Sequence, residues 1–315
     1  MRRNIKLLVP LLLLCLLLNG CGAPSVSIGS TSLQVIKPSA VPSADFIPYK
    51  APPMPSVEYH PELAEGNSQV KIDLSSVSEG YFAASAISDK RLKLQVLKDD
   101  MTYTYDISSD GTPSFFPLQC GNGLYAFRFM ENISESKYAQ IYRTECTVSL
   151  LDEFQPFIRT SNYSRYDENS ECVKKAADMA ATCSGKMELI TAVYSFVCKN
   201  IRYDDVKAST VQSGYMPDVD ETLRTKKGIC FDYASLAAAM LRSQGIPTKI
   251  IFGYVAPDNL FHAWNMFYTE ESGWITVSFE VKGDVWTRMD LTFSAGGASA
   301  KFIGDGSHYT DVYSY

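Results

Sequence analysis

Three side chains in the C-terminal half are of the types that nucleophilic cysteine chemistry uses: Cys230 in "KKGICFDYASL", His262 in "NLFHAWNMF" and Asp290 in "TRMDLTF". A thiol is a poor nucleophile until it ionises, and its pKa falls at a helix N-terminus or beside an imidazolium. Cys230 stands directly ahead of an alanine-rich run that reads as a helix, which meets the first condition. The second needs a histidine, and the chain has three. His60 lies in a Pro-rich stretch and His308 in a glycine-rich tail, so His262, on an expected strand, is the natural partner. A third group usually orients the imidazole by accepting its other N–H. Asp290, set among Trp286, Met289 and Phe293, needs a hydrogen-bond partner if it is buried. The plainer role for Cys230 is a small hydrophobe filling a core.

The elements that must position these groups follow from periodicity. After about Ser161 the pattern is helical. "KMELITAVYSFVCKNI" places Leu189, Ile190, Val193, Phe196 and Val197 on one stripe. The helix after Cys230 buries Leu236, Ala237, Met240 and Leu241, and Gly245 followed by Pro247 stops it. Strands are expected next, in "TKIIFGYVA", "FHAWNMFYT", "GWITVSFEV" and "DVWTRMDLTF", with "YTDVYSY" closing the chain as an edge strand. Helices followed by antiparallel strands make this part α+β. From roughly Val70 to Thr160, short alternating runs such as "RLKLQVLK" and "GLYAFRFM", separated by "DGTP" and "CGNG", predict a small antiparallel β-sandwich. Before it, Gly22 to Gln69 is rich in Ser and Pro and reads as an extended tether carrying a solvent-exposed His60.

The words around the three side chains carry a more specific signal than their spacing. "GICFDYASLAAAMLRSQGIPTKIIFGYV", "FHAWNMFY" and "MDLTF" resemble, in that order, the three blocks of the transglutaminase-like superfamily, whose fold is similar to that of papain-type cysteine proteases. The resemblance covers roughly residues 165–293. It implies Cys230 as nucleophile, His262 as general base and acid, and Asp290 as the orienting acid. In many relatives that acid follows a Trp closely. Here "GWITVSFE" offers Ser278 at that place, so Asp290 is taken from the next strand, with Glu280 and Asp284 as poorer candidates. The reaction implied is acyl transfer at an amide carbonyl, released by water (peptidase or amidase) or by an amine (transglutaminase). It requires no metal or organic cofactor. The Cys230 N–H is an expected oxyanion donor. Gly228 allows close approach of the chain, Asp232 and Tyr233 cap the helix or shape the cleft, and Trp264 packs.

The N-terminus adds a location. "MRRNIKLLVPLLLLCLLLNGC" has a basic start and an apolar core from Leu7 to Leu18, too short to span a bilayer but right for a signal peptide. "LNGC" resembles the lipobox of bacterial lipoproteins, which implies an acylated Cys21 and anchoring to the extracytoplasmic membrane face. The resulting division is a leader over 1–20, a tether over 21–69, a β-sandwich over 70–160 and a transglutaminase-like domain over 161–315. Of eight cysteines, removing Cys15, Cys21 and Cys230 leaves five. An odd count is a poor disulfide framework, with Cys120 and Cys146 the one pair kept open. A net charge of -6 and the absence of a long basic cluster argue against nucleic acid. The expected partner is a peptide or protein, with the cell envelope as a source suggested by location. The contrasting expectation is a surface lipoprotein that binds or scaffolds without catalysis.

Overall fold

The computed structural model describes residues 46–256, 260–270, 273–276 and 309–315. Its first half is the expected sandwich. One sheet has the order β1-β2-β3-β6, from β1 (Glu65–Gly66), β2 (Val70–Asp73), β3 (Tyr81–Ala86) and β6 (Ser114–Pro117). The other is β5-β4-β7-β8, from β4 (Leu92–Lys98), β5 (Met101–Ile107), β7 (Gly123–Ser134) and β8 (Lys137–Val148). All these pairings are antiparallel. The alternation of β4 puts Leu92, Leu94 and Val96 inside. They share a core with Ile72, Phe82 and Phe116 of the facing sheet, where Phe82 meets Phe127 edge-on at 4.8 Å.

The second half holds α1 (Glu171–Ala180), α2 (Lys186–Asn200), α3 (Asp205–Thr210), α4 (Val219–Thr225) and α5 (Cys230–Arg242). Between them, β9 (Arg202–Tyr203) and β10 (Lys227–Gly228) form a short parallel pair. A second antiparallel sheet follows, β13-β12-β11-β14, from β11 (Thr248–Val255), β12 (Leu260–Thr269), β13 (Gly273–Thr276) and β14 (Tyr309–Ser314). As expected, β14 ends that order. The stripe on α2 is Leu189, Ile190, Val193, Tyr194 and Val197. Tyr194 takes the place expected for Phe196, whose half-buried ring lies under the Lys175 ammonium at 5.3 Å.

Helix α5 is the centre of this half, and its burial exceeds the single stripe expected. Every residue from Asp232 to Arg242 is buried, as befits a helix apolar nearly all round. Its small alanines allow close packing: Ala234 and Ala238 join Ile250 and Ala263 of the sheet in the sandwich's own core, while Ala237, Met240 and Leu241 pack with α1 and α2. The two halves are therefore not separate cores. Tyr105 of the sandwich meets Tyr163, in the connector between β8 and α1, at 5.5 Å and Tyr315, next to β14, at 5.6 Å.

The stretch from Phe46 to Gln69, expected as part of an extended tether, is instead docked on the fold. The Tyr49 N–H donates to Cys183 O (2.6 Å) and its hydroxyl to Gln244 O (2.9 Å). The His60 N–H donates to buried Asp73 (2.7 Å), and its half-buried ring lies between Glu58 and Glu62. Pro52 covers Gly245, where an added Cβ would come within 2.2 Å of the proline ring and where φ is +73°. A Ser/Pro-rich composition masked these few widely spaced anchors. Cys120 and Cys146 are free thiols. Among the described residues no helix is long and apolar enough to cross a membrane. The leader with Cys21, and the strand expected around Asp290, lie outside the described residues.

At the C-terminal end of α5, Arg242 is fully buried, and desolvation lowers its pKa to about 10, so it stays charged near neutrality. Its Nε donates to Thr248 O (2.8 Å), Nη1 to Arg159 O (3.1 Å) and Ser161 Oγ (3.4 Å), and Nη2 to Tyr315 O (3.0 Å). One guanidinium thus ties α5 to β11, to the segment between β8 and α1, and to Tyr315 after β14. Arg242→Met should lower stability on the order of 2–4 kcal/mol, because buried carbonyls lose their donors. Arg242→Lys should recover little of that, since one ammonium cannot reproduce the planar fork. Urea unfolding of the three proteins measures it, and a loss below about 0.5 kcal/mol in Arg242→Met would contradict this role.

Candidate active site

Cys230 is the first residue of α5, after an extended Ile229 at the N-cap. Ile229 has no side-chain oxygen, so the capping falls to Asp232 in the first turn. Its Oδ2 accepts from the Ile229 N–H at 2.7 Å. The acid also suits the positive end of the helix macrodipole. Asp232 is completely buried and so needs more than one partner. Lys207 on α3 supplies an ammonium at 2.8 Å, and the Tyr215 hydroxyl donates to Oδ1 while also meeting Lys207 Nζ. Burial, then the bond to Asp232, holds the Tyr215 phenol well above its ordinary pKa, so it remains a donor.

Gly228 is what lets this cluster close. An added Cβ would lie 2.5 Å from Asp232 Cβ and 3.0 Å from its Oδ2, so the close approach expected at this glycine is against the capping acid. Lys207 and Tyr215 were not legible in the sequence. They stand 25 and 17 residues before Asp232, and no local pattern links them to it.

The thiol of Cys230 is half-buried and packs against the shared core with Phe231, Tyr163 and Phe252. It lies on the same helix face as Ala234 and Ala238, one and two turns on, which meet the sheet. His262 is on β12, opposite Gly253 of β11. The sheet's alternation turns Phe261, Ala263, Asn265 and Phe267 towards α5, where Asn265 Nδ2 donates to Ala234 O at 3.0 Å. His262 and Trp264 share the other face. The imidazole is buried there, its ring 6.3 Å from the Trp264 ring, and Trp264 packs on Tyr309 at 4.9 Å. The structure thus brings the helix of Cys230 onto the strand of His262 and sets the imidazole on the Trp264 side of that strand. Asp290, Glu280, Asp284 and Ser278 lie outside the described residues. Among the described residues no group of His, Cys, Asp and Glu is arranged to hold a metal ion.

The cap predicts a measurable cost. Asp232→Ala should destabilise the protein by about 2–4 kcal/mol, above the ~1 kcal/mol of an ordinary N-cap, because Lys207, Tyr215 and the Ile229 N–H lose one shared acceptor. Asp232→Asn, which keeps an acceptor, should cost less. Gly228→Ala should cost about 1–3 kcal/mol through overpacking. Thermal and urea unfolding decide it, and equal stability of Asp232→Ala and wild type would refute the assignment.

Residues 173–279 match the model of the transglutaminase-like superfamily. The match includes Cys230 and His262 and ends before Asp290. The UPF0252 protein MJ1282 of Methanocaldococcus jannaschii is 32% identical over 81 residues, 24% of this chain and 23% of that protein. The chain therefore spans about a quarter of the length of that curated relative. Among solved structures, one described as a candidate cysteine protease from Cytophaga hutchinsonii is similar with a TM-score of 0.39 and 16% identity, covering 73% of each chain. The periplasmic domain of TgpA from Pseudomonas aeruginosa is similar at 0.33 and 14%, covering 76% of this chain and 84% of its own. That matched segment holds Cys230 at the start of α5 and His262 on β12.

Proposed function

We propose that this protein is a cysteine acyl-transfer enzyme acting on amide bonds of peptides or proteins. The observation that carries the reading is the placement of Cys230: a half-buried thiol opening a helix whose start is clamped by Asp232, within the family match. The thiolate attacks an amide carbonyl, and the backbone N–H of Cys230 donates to the developing oxyanion. His262 carries the thiol proton to the departing amine, leaving an acyl thioester that water or a second amine releases. Asp290 orients the imidazole in this scheme, with Glu280 and Asp284 as the alternative carboxylates. The leader and the "LNGC" word support export and acylation at Cys21, so that the enzyme works on the outer side of a bacterial membrane, where cell-envelope peptides are at hand. Hydrolysis is favoured over amine transfer because water is always available.

The scheme requires the imidazole to reach the sulfur in the reacting state, although His262 stands on the Trp264 side of β12. That placement is the one observation favouring the second reading, a surface binding or scaffolding module with an inactive site. Two measurements separate the readings. Cys230 should alkylate with iodoacetamide at pH 7 far faster than Cys172 and Cys183, whose thiols burial pushes above the ordinary range, and should lose at least tenfold of that rate in His262→Ala. 1,3-Dibromoacetone should then join Cys230 to His262, seen as a crosslinked peptide by mass spectrometry. A slow Cys230 and no crosslink would mean a binding module.

For the reaction itself, the protein lacking its leader is incubated with a peptide library and a labelled amine. Shorter or deamidated peptides that vanish in Cys230→Ala mean hydrolysis, and amine-tagged peptides mean transfer.

A further inference from the structure

Beside the start of α5 lies a cleft of about 210 Å3 whose walls are mostly aromatic, with Tyr163, Tyr215, Met216, Phe231, Phe252 and Phe261 among its lining residues. Phe231 directly follows Cys230, and both pack on the same cluster. The cleft lies on the sheet face that α5 covers.

Its walls are preformed. Tyr163 meets Phe231 edge-on at 5.2 Å, Phe231 meets Phe252 at 4.9 Å and 75°, and Phe252 stacks on Phe261 at 6.0 Å and 20°. Tyr215 is held through its hydroxyl by buried Asp232. The adjoining loop is pinned to the sandwich: Arg91 Nε donates to Asp106 at 2.7 Å and Nη2 to Ser213 Oγ at 3.1 Å. Gly214 fits beneath them at φ +89°, where a Cβ would lie 3.0 Å from Arg91 Nη2. The β-sandwich therefore contributes a wall of this cleft, and the carboxylate it brings, Asp106, is already neutralised by Arg91. What the cleft offers a ligand is rings without net charge. Phe261 at its rim is 50% exposed, so that its ring is open to an entering group.

Resting on the reading of Cys230 as nucleophile, the geometry points to this cleft as the subsite for one large apolar side chain, aromatic by preference, on the acyl side of the scissile amide. Size limits the occupant to one group: apolar cavities of about 150 Å3 admit benzene, and this one is too small for a folded segment. The absence of free charge in the walls favours phenylalanine or leucine over lysine or glutamate. The substrate class narrows accordingly to peptides carrying such a residue beside the amide that Cys230 attacks.

The test uses two reagents, acetyl-glycyl-Xaa chloromethyl ketones with Xaa phenylalanine or alanine. The phenylalanine reagent should inactivate Cys230 roughly 10–100-fold faster, the range that a filled apolar pocket confers. Met216→Trp, which fills the cleft, should bring the ratio to within about threefold in protein whose thermal unfolding matches that of the wild type. Phe261→Ala, at a half-exposed position, should lower the ratio several-fold without affecting folding. A ratio near one in the wild type, or one unchanged by Met216→Trp, would overturn the proposal. A binding arm separates it from the catalytic reading: Cys230→Ala protein is titrated by calorimetry with acetyl-Phe-Gly-amide and acetyl-Ala-Gly-amide. If neither ketone labels Cys230, catalysis fails. The cleft is then upheld by tighter binding of the phenylalanine peptide that Met216→Trp abolishes, and refuted by equal binding of the two.

Discussion

Removing α5 from water on every side obliges its surroundings to satisfy whatever polar groups it carries, and it carries a charge near each end. Asp232 near the start and Arg242 at the finish are both wholly inaccessible. An unpaired charge in such a place would cost several kcal/mol. Each has therefore drawn a set of partners around it. At the start these are Lys207, Tyr215 and the Ile229 N–H, closed in by a glycine that has no Cβ to obstruct them. At the finish they are carbonyls of Arg159, Thr248 and Tyr315. The acid fixes the backbone on which the thiol stands, and the base fixes the strands against which the helix lies.

The same burial explains why the sandwich is not an appended module. Alanines on α5 bring the helix close enough for Ala234 and Ala238 to share a core with Leu92, Tyr105 and Phe116. The ring contacts of Tyr163 and Tyr315 with Tyr105 complete that contact. Arg91 and Asp106 then reach from the sandwich to the loop that carries Tyr215. The sandwich thereby acts through position: it shapes a wall of the cleft beside Cys230.

The thiols illustrate how placement divides chemically identical groups. Cys172 is buried in the first turn of α1 with its pKa raised by burial and then by Asp220, whose carboxylate accepts from the Glu171 and Cys172 N–H groups and so caps that helix. Cys183 is likewise buried and its carbonyl anchors Tyr49. Cys230 alone among the three is at once partly accessible, at the start of a long helix and beside a cleft.

Local order along the chain was enough to determine much of this. The alternation of "RLKLQVLK", the three-and-four spacing in α2 and the Gly245 stop are periodicities written into neighbouring residues. The helix start at Cys230 and the strand at His262 follow in the same way, because secondary structure answers to patterns a few residues long. The site's support is different in kind. Lys207 and Tyr215 meet Asp232, Arg91 meets Ser213, Arg242 meets Tyr315 and Tyr49 meets Gln244 across separations of 17 to 195 residues. Such pairings are set by the burial of particular polar groups, and burial is a property of the packed chain rather than of any segment. Which face of β12 carries the imidazole was likewise decided by strand register against α5, since a shift of one residue would exchange His262 with Ala263.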